Sequence, residues 1–355
     1  MANLETQVVD DIILRSRRKM LSLGTTALAG LAVASSTSAK AQTAAASPAY
    51  SDNDILNFAL NLEYLEANFY YLAAFGTTID VQNAASKAAG AAVQGITGVG
   101  TQGVVMYKPN PQVPFSTTVV GSYAVETAIE EGKHVGFLRS TLGSAAVAQP
   151  QIDLTGGATF PGTAAWNTLA TAAGIQAPFN PFDPFLSDGT FLIGAYVFED
   201  VGVTAYHGAA PLLSTTPTGK AYLQAAAGIL AVEAYHAGLV RTSILLTDPT
   251  NQLGFQTLTQ QISTLRATLS AAAVAAPATA VVGGDDFGLA TQTVNLGGSP
   301  VPATTIVDAD PTNEMAFART TTQVLNIVTG GGVSATAGTA AKGVFFPAGL
   351  NGFFK

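Results

Sequence analysis

A four-residue spacing that occurs twice constrains this chain more than any other feature. Glu131-Gly-Lys-His134 and Glu233-Ala-Tyr-His236 each place a carboxylate and an imidazole three positions apart. On a helix that spacing puts the two side chains one turn apart on one face. The second copy lies in Leu223–Leu246, which reads as one long helix, started by Thr216-Pro217 and stopped by Asp248-Pro249. Its middle is apolar nearly all round (Ala225, Ala226, Ile229, Leu230, Val232, Leu239, Val240), the pattern expected of a buried helix. The first copy lies in Tyr123–Leu142, with Val125, Ile129, Val135, Phe137 and Leu138. A carboxylate in such a setting is costly unless it is paired or bound to metal. The chain has only three His, and two of them follow a Glu by three residues. One such pair reads as a surface or capping pair; two on apolar helices call for a shared partner.

Composition narrows what that partner can be. With no Cys, a disulfide, a thiolate metal site and a Cys nucleophile are all excluded. Any metal must be held by Asp, Glu and His, a donor set that suits iron, manganese or zinc. The formal net charge of −8 lacks the basic stripe that nucleic acid requires, so no nucleic-acid partner is expected. Only 11% of residues are charged, which fits work outside the cytosol, in an acidic medium or in an assembly such as a homo-oligomer.

The N-terminus reads as a leader. Ser16-Arg17-Arg18-Lys19 precedes a mild apolar run, Leu21–Ala34, and Ala39-Lys40-Ala41 is a small-x-small cleavage site. The paired Arg resembles a twin-arginine export signal, a route that carries folded cargo. Residues 1–41 are therefore expected to be removed and 42–50 to be a flexible mature N-terminus. The apolar run is too short to leave a stable membrane span after removal. The expected location is periplasmic or extracellular.

A bundle over 51–276 is expected to follow. Ser51-Asp-Asn-Asp54 starts a first helix that ends at Gly76 and carries Glu63, Glu66 and Tyr70 along one strip. Residues 77–115 read as an insertion, with a short helix over Val81–Val93 and a hairpin over Ile96–Tyr107. The second helix, to Leu142, carries Glu126, Glu130, Glu131 and His134. Gly143–Gly189 is a long connection with a short helix at Ala164–Ala173 and a Pro/Phe segment, Phe179–Phe185, expected to pack on the bundle. The third helix, Thr190–Leu213, carries Glu199, Tyr206 and His207; His207 lies round the helix from Glu199 and reads as a supporting residue. Asn251–Ala276 reads as a fifth helix. Beyond it, 277–355 is expected to supply a hairpin near Thr291–Pro302, a last short helix over Asn313–Val328 and a tail tied down by Phe345, Phe346, Phe353 and Phe354. Asp285, Asp286, Asp308 and Asp310 read as turn formers.

Taken together, the four long helices offer a carboxylate, Glu-x-x-His, a carboxylate and Glu-x-x-His, the set a four-helix bundle uses to hold a carboxylate-bridged metal pair. The stretches Ile55–Tyr70, Glu131–Arg139 and Ala231–Arg241, with Ala316–Asn326 and Phe345–Gly352, resemble the ferritin-like superfamily. Within it, they look more like the exported bacterial ferritin-like proteins grouped with plant desiccation-related proteins. The resemblance implies an all-α, up-down four-helix bundle with a long crossover, an extra C-terminal helix and small hairpin or loop insertions. It implies two divalent metal ions, iron or manganese, held by Glu63, Glu131, His134, Glu199, Glu233 and His236. Glu66, Tyr70, Tyr206 and His207 would support those ligands. The function it implies is ferroxidase, peroxide or oxygen redox chemistry. The alternative is a non-enzymatic exported protein, structural or protective against desiccation stress, with a structural metal or a lost one. The charge-poor surface and the large insertions do not suit a hollow storage cage.

Overall fold

A computed structural model describes residues 50–273, 284–333 and 340–355. The expected leader, and residues 42–49 after it, lie outside the described residues.

Four long helices dominate. The first, α1 (Asp52–Phe75), begins where Ser51 and Asp54 cap each other's backbone and ends at Gly76, whose φ of 70° is the left-handed region that favours glycine. A five-residue helix, α2 (Ala84–Ala88), and a two-residue strand, β1 (Val105–Met106), precede α3 (Thr118–Leu142). The crossover contains β2 (Ile152–Asp153) and α4 (Ala165–Ala172), and leads to α5 (Asp188–Ala209). A 3₁₀ turn at Ala210–Leu212 joins α5 to α6 (Pro217–Thr247), and α7 (Phe255–Ala272) follows. The chain continues through strands β3 (Thr291–Leu296) and β4 (Ser299–Thr304) to α8 (Thr321–Val328).

Side-chain contacts fix the helix directions. Tyr70 reaches Glu199 and Tyr206 reaches Glu63, so α1 and α5 are antiparallel. The Tyr64 hydroxyl meets Arg139 and Asn57 meets Ala145, so α1 and α3 are antiparallel too. Consequently α3 and α5 run the same way, and the long crossover exists to return the chain to the starting end. Asp188 shows the same thing directly. This first residue of α5 accepts hydrogen bonds from the Ser116 and Thr117 N–H groups at 2.9 and 2.8 Å, supplying the cap that Thr117 itself does not give α3. The architecture is the all-α four-helix bundle with a long crossover that the resemblance implies.

The core between α1, α5 and the crossover is aromatic. Phe69 stands 5.3–5.8 Å from Trp166, Phe185, Phe191 and Phe198, and Phe345 of the tail completes the cluster against Trp166. Phe182 and Phe185 are buried as expected of the Pro/Phe segment, and Phe345 and Phe346 anchor the tail; Phe353 stays exposed. Asn351 exchanges backbone hydrogen bonds with the buried Asn61 side chain of α1 at 2.9 and 3.1 Å.

Several local expectations are corrected. Ile96–Tyr107 is not a hairpin: Val105 and Met106 pair in parallel with Ile152 and Asp153 of the crossover. A β-rich run finds its partner through tertiary proximity, and a partner some fifty residues away is invisible to local turn signals. The helices at Val81–Val93 and Asn313–Val328 shrink to α2 and α8, and α7 begins only at Phe255. The hairpin near residue 300 is present, and its Gly297-Gly298 turn has both φ values positive, as a tight two-residue turn requires.

The largest correction concerns α6. It is not buried all round: Leu223, Tyr235 and Leu246 are exposed, Tyr235 by 75%. Its inward stripe is Ile229, Glu233, His236, Ala237, Val240, Arg241 and Ile244. The outward face mixes small residues (Ala221, Ala227, Gly228, Ala231, Ala234) with polar ones (Lys220, Gln224, Thr242) and the exposed Leu223, Tyr235 and Leu246. By length and composition α6 could cross a membrane. Here, however, Glu233, His236 and Arg241 are all buried against the other helices.

Candidate metal centre

All six side chains named above as ligands meet in the middle of the bundle. Glu63, Glu131 and Glu233 are fully buried, Glu199 and His236 nearly so, and His134 is 9% exposed. They form two overlapping groups. Glu63, Glu131, His134 and Glu233 bring one ligand atom each to within 4.8 Å of one another, and so do Glu131, Glu199, Glu233 and His236. Glu131 and Glu233 belong to both groups. Glu131 divides its two oxygens between them: Oε2 lies 3.5 Å from His134 Nδ1 and Oε1 lies 3.1 Å from His236 Nδ1. That is the placement of a bridging carboxylate between two terminal imidazoles. Glu63 Oε2 stands 3.3 Å from His134 Nδ1 and Glu199 Oε2 stands 3.4 Å from His236 Nδ1, so these two close the group at either end.

The decisive observation is what these atoms lack. Glu63 Oε2, both oxygens of Glu131 and of Glu233, Glu199 Oε2, His134 Nδ1 and His236 Nδ1 are buried without a hydrogen-bond partner. The imidazole-to-carboxylate distances are those of ion pairs, with no N–H aimed along them. Buried polar atoms in native proteins are nearly always satisfied. Eight that converge on one point, six carboxylate oxygens and two imidazole nitrogens, are a donor set that fits divalent cations.

Atoms facing away from the centre are, by contrast, held. Tyr70 of α1 donates to Glu199 Oε1 of α5, and Tyr206 of α5 donates to Glu63 Oε1 of α1. Each Tyr lies seven residues after one terminal Glu and supports the other, so the two helices lock one another's carboxylates reciprocally. Glu130 accepts from His236 Nε2 at 2.8 Å, which turns Nδ1 with its lone pair toward the centre. Sequence reasoning placed Glu130 on this helix without giving it that role; its position beside Glu131 was the available signal. It also missed Gly202. A Cβ there would lie 2.3 Å from Glu233 Oε2, so the Glu233 carboxylate occupies the space that a larger residue on α5 would take and would have to shift to admit one.

Electrostatics agree with a centre built for cations. Burial, with the neighbouring carboxylate of Glu131, pushes Glu63 up from 4.5 to about 7 despite the opposing pull of His134. Burial and surrounding carboxylates raise Glu233 and Glu66 well above the usual range, and burial raises Glu199. Burial opposes charge on His134, yet Glu63 and Glu131 together outweigh it and push that imidazole up to about 12. Like charges crowded in a dry space are holding protons that a divalent cation would displace.

The supporting residues divide. Tyr70 and Tyr206 touch the cluster as described. Glu66 is buried beside it but belongs to neither ligand group. His207 faces away, its Nδ1 3.2 Å from the Phe317 carbonyl of the C-terminal segment. The Asp residues expected to be simple turn formers do more. Asp286 binds Arg266 at 2.7 Å and Arg319 at 2.9 Å, and Asp200 of α5 binds Arg241 and Arg266 at 2.9 Å. Asp285 adds a 3.1 Å contact to Arg319. Asp200 and Asp286 therefore converge on three buried guanidinium groups, whereas Asp308, the third carboxyl of this second acidic cluster, accepts from the Phe287 N–H through Oδ1 at 2.9 Å and leaves Oδ2 buried without a partner.

Comparison with known proteins agrees with this geometry. Residues 51–246, which contain all four bundle helices, match the family described as ferritin-like domain. Over 221 residues the chain is 31% identical to a desiccation-related protein of Craterostigma plantagineum, a match that spans 61% of this chain and 61% of that protein. No solved structure matches the chain. The chain belongs to the ferritin-like domain family.

Proposed function

We propose that this protein binds two divalent metal ions, iron or manganese, and uses them for redox chemistry on ferrous iron, peroxide or dioxygen. Glu131 and Glu233 would bridge the pair. Glu63 with His134 would hold one ion, and Glu199 with His236 the other. The observation that carries this reading is the convergence of eight buried ligand atoms without hydrogen-bond partners. When bound, such a pair supplies reversible one-electron steps at each ion. The protein's own part is to fix the terminal carboxylates through Tyr70 and Tyr206, orient His236 through Glu130 and exclude water. We further propose export to the periplasm or beyond, on the strength of Arg17-Arg18 and the apolar run and cleavage site after them.

A second reading draws support from the relative's name. A desiccation-related protein of this family suggests a stress-protective role in which the metal contributes folding free energy rather than turnover. One experiment separates the two. Protein purified without chelator is assayed for metal content, then for ferrous oxidation and peroxide loss. Two equivalents of iron or manganese with turnover support the redox reading. Bound metal without turnover supports the protective one. No metal bound, even after reconstitution, ends both metal assignments.

A further inference from the structure

An apolar chamber of about 30 Å³ lies against the ligand cluster on the side away from α3. Its inner wall comes from α1 and α5, including Leu65, Glu66, Val201 and Gly202. Its outer wall comes from α7, α8 and the tail: Ile262, Leu265, Leu269, Ile327, Val328 and Phe345. All of these outer residues lie beyond residue 246, where the family match ends. The chamber is thus made by closing segments beyond the matched domain over one face of the bundle.

Its chemistry is restrictive. Every lining side chain is hydrocarbon except Glu66 and Arg266. The two Nη groups of Arg266 are taken up by Asp200, Asp286 and the Tyr196 carbonyl at 2.7–2.9 Å, leaving its Nε–H as the one unpartnered donor of that side chain. An ion entering would lose its hydration with at most the Glu66 carboxyl or the Arg266 Nε–H to replace it, and peroxide would find few hydrogen-bond partners. Apolar cavities of this kind take up apolar gases, and this volume exceeds the roughly 10–15 Å³ one water-sized particle needs. Position completes the case. A Cβ on Gly202 would lie 2.3 Å from Glu233 Oε2 and 3.5 Å from Glu66 Oε1. Glycine at this position leaves the chamber and the Glu233 carboxylate separated by little more than backbone and the Glu66 side chain.

We propose that this chamber binds a small, neutral, apolar molecule of dioxygen's size and holds it beside Gly202 and Glu66, at the edge of the carboxylate–imidazole cluster. Its service as oxidant rests on the metal reading above; the binding itself does not.

The test uses the full chain without metal. Crystals pressurised with xenon should show a peak bounded by Leu65, Val201 and Leu265. In solution, dissolved dioxygen should relax the methyl protons of Leu65 several-fold faster than those of Leu60 and Leu72, which are buried to a similar degree on the same helix. Leu265→Trp and Leu269→Trp, which fill the chamber from its outer wall, should each abolish both signals. Metal content is measured in parallel. Xenon elsewhere or nowhere, with methyl relaxation uniform across the core, overturns the proposal even if two metals bind. A xenon-filled chamber in a protein that cannot be loaded with metal supports the pocket while ending the redox reading. In loaded protein, both Trp variants should keep their metal and lower the dioxygen-dependent rate at least several-fold, with the peroxide-dependent rate unchanged. Dioxygen rates equal to wild type would overturn the chamber's service in supplying the oxidant. Should a Trp variant fail to fold, wild-type xenon occupancy and methyl relaxation still decide.

Discussion

Replacing Glu233 with Gln should change stability in opposite directions in the metal-free and the metal-loaded protein. Glu233 is fully buried, and both its oxygens lack hydrogen-bond partners. It faces Glu131, Glu66, Glu199 and Glu63, and burial with these neighbours raises its carboxyl well above the usual range. Gln keeps the shape and never ionises, whereas wild type must take up a proton at Glu233 on folding near neutral pH, at a cost of about 1–3 kcal/mol. Metal-free Glu233→Gln should therefore be more stable than wild type near neutral pH by about 1–3 kcal/mol, at about 2–4 °C of melting temperature per kcal/mol. In the loaded state the sign reverses. Ligand at a hundredfold excess over its Kd stabilises by about 2.7 kcal/mol per site. Glu233 belongs to both ligand groups, so the variant should forfeit most of about 5 kcal/mol. Calorimetry of both proteins with chelator, and again with manganese or anaerobic ferrous iron, reads both effects. A variant that is destabilised without metal, or that retains two equivalents of metal, would refute the reasoning.

Metal-free protein should lose stability as pH rises. Glu63 holds its proton up to about 7 when folded against 4.5 as its ordinary value, so the folded state binds more protons across that window. The rise is worth about 3 kcal/mol at most. His134, raised from 6.5 to about 12, continues the trend in the same direction above neutrality. Urea titrations of chelated protein at pH 5 and pH 8 check this, and greater stability at pH 8 would contradict it. Tyr70→Phe and Tyr206→Phe each release one terminal carboxylate and should weaken metal binding about 10–100-fold, read by competition with a chromophoric chelator. Unchanged affinity would show that the tyrosines do not hold the ligands. Arg319→Leu leaves Asp286 short of one partner and should cost about 3–5 kcal/mol in chemical denaturation, yet metal content should stay at the wild-type value. Loss of metal there would tie the Arg–Asp network to the centre.

Much of this was legible in the chain because helix geometry is local. A three-residue spacing fixes that Glu131 and His134, or Glu233 and His236, share a face, and the seven-residue spacing does the same for Glu63 with Tyr70 and Glu199 with Tyr206. Caps and stops at Ser51, Gly76, Thr216 and Asp248 set where the helices begin and end. Burial of charge on apolar helices then demanded a partner, which is why the ligand set could be listed at all.

What the spacing could not say is which neighbour each face would meet. Glu63 and Glu66 are both buried acids on α1. Only the rotation of that helix against α3 and α6 puts the first into a ligand group and the second beside the chamber. The crossed tyrosine bonds, the pairing of Val105 with Ile152 and the capture of Asp285 and Asp286 by buried arginines all join residues far apart in sequence. Local propensity carries no information about such pairs, because their energy appears only once the backbone has closed around them. The half-exposed α6 has the same origin. Its sequence fixed an apolar helix; which side of it stayed wet depended on having neighbours along one stripe only.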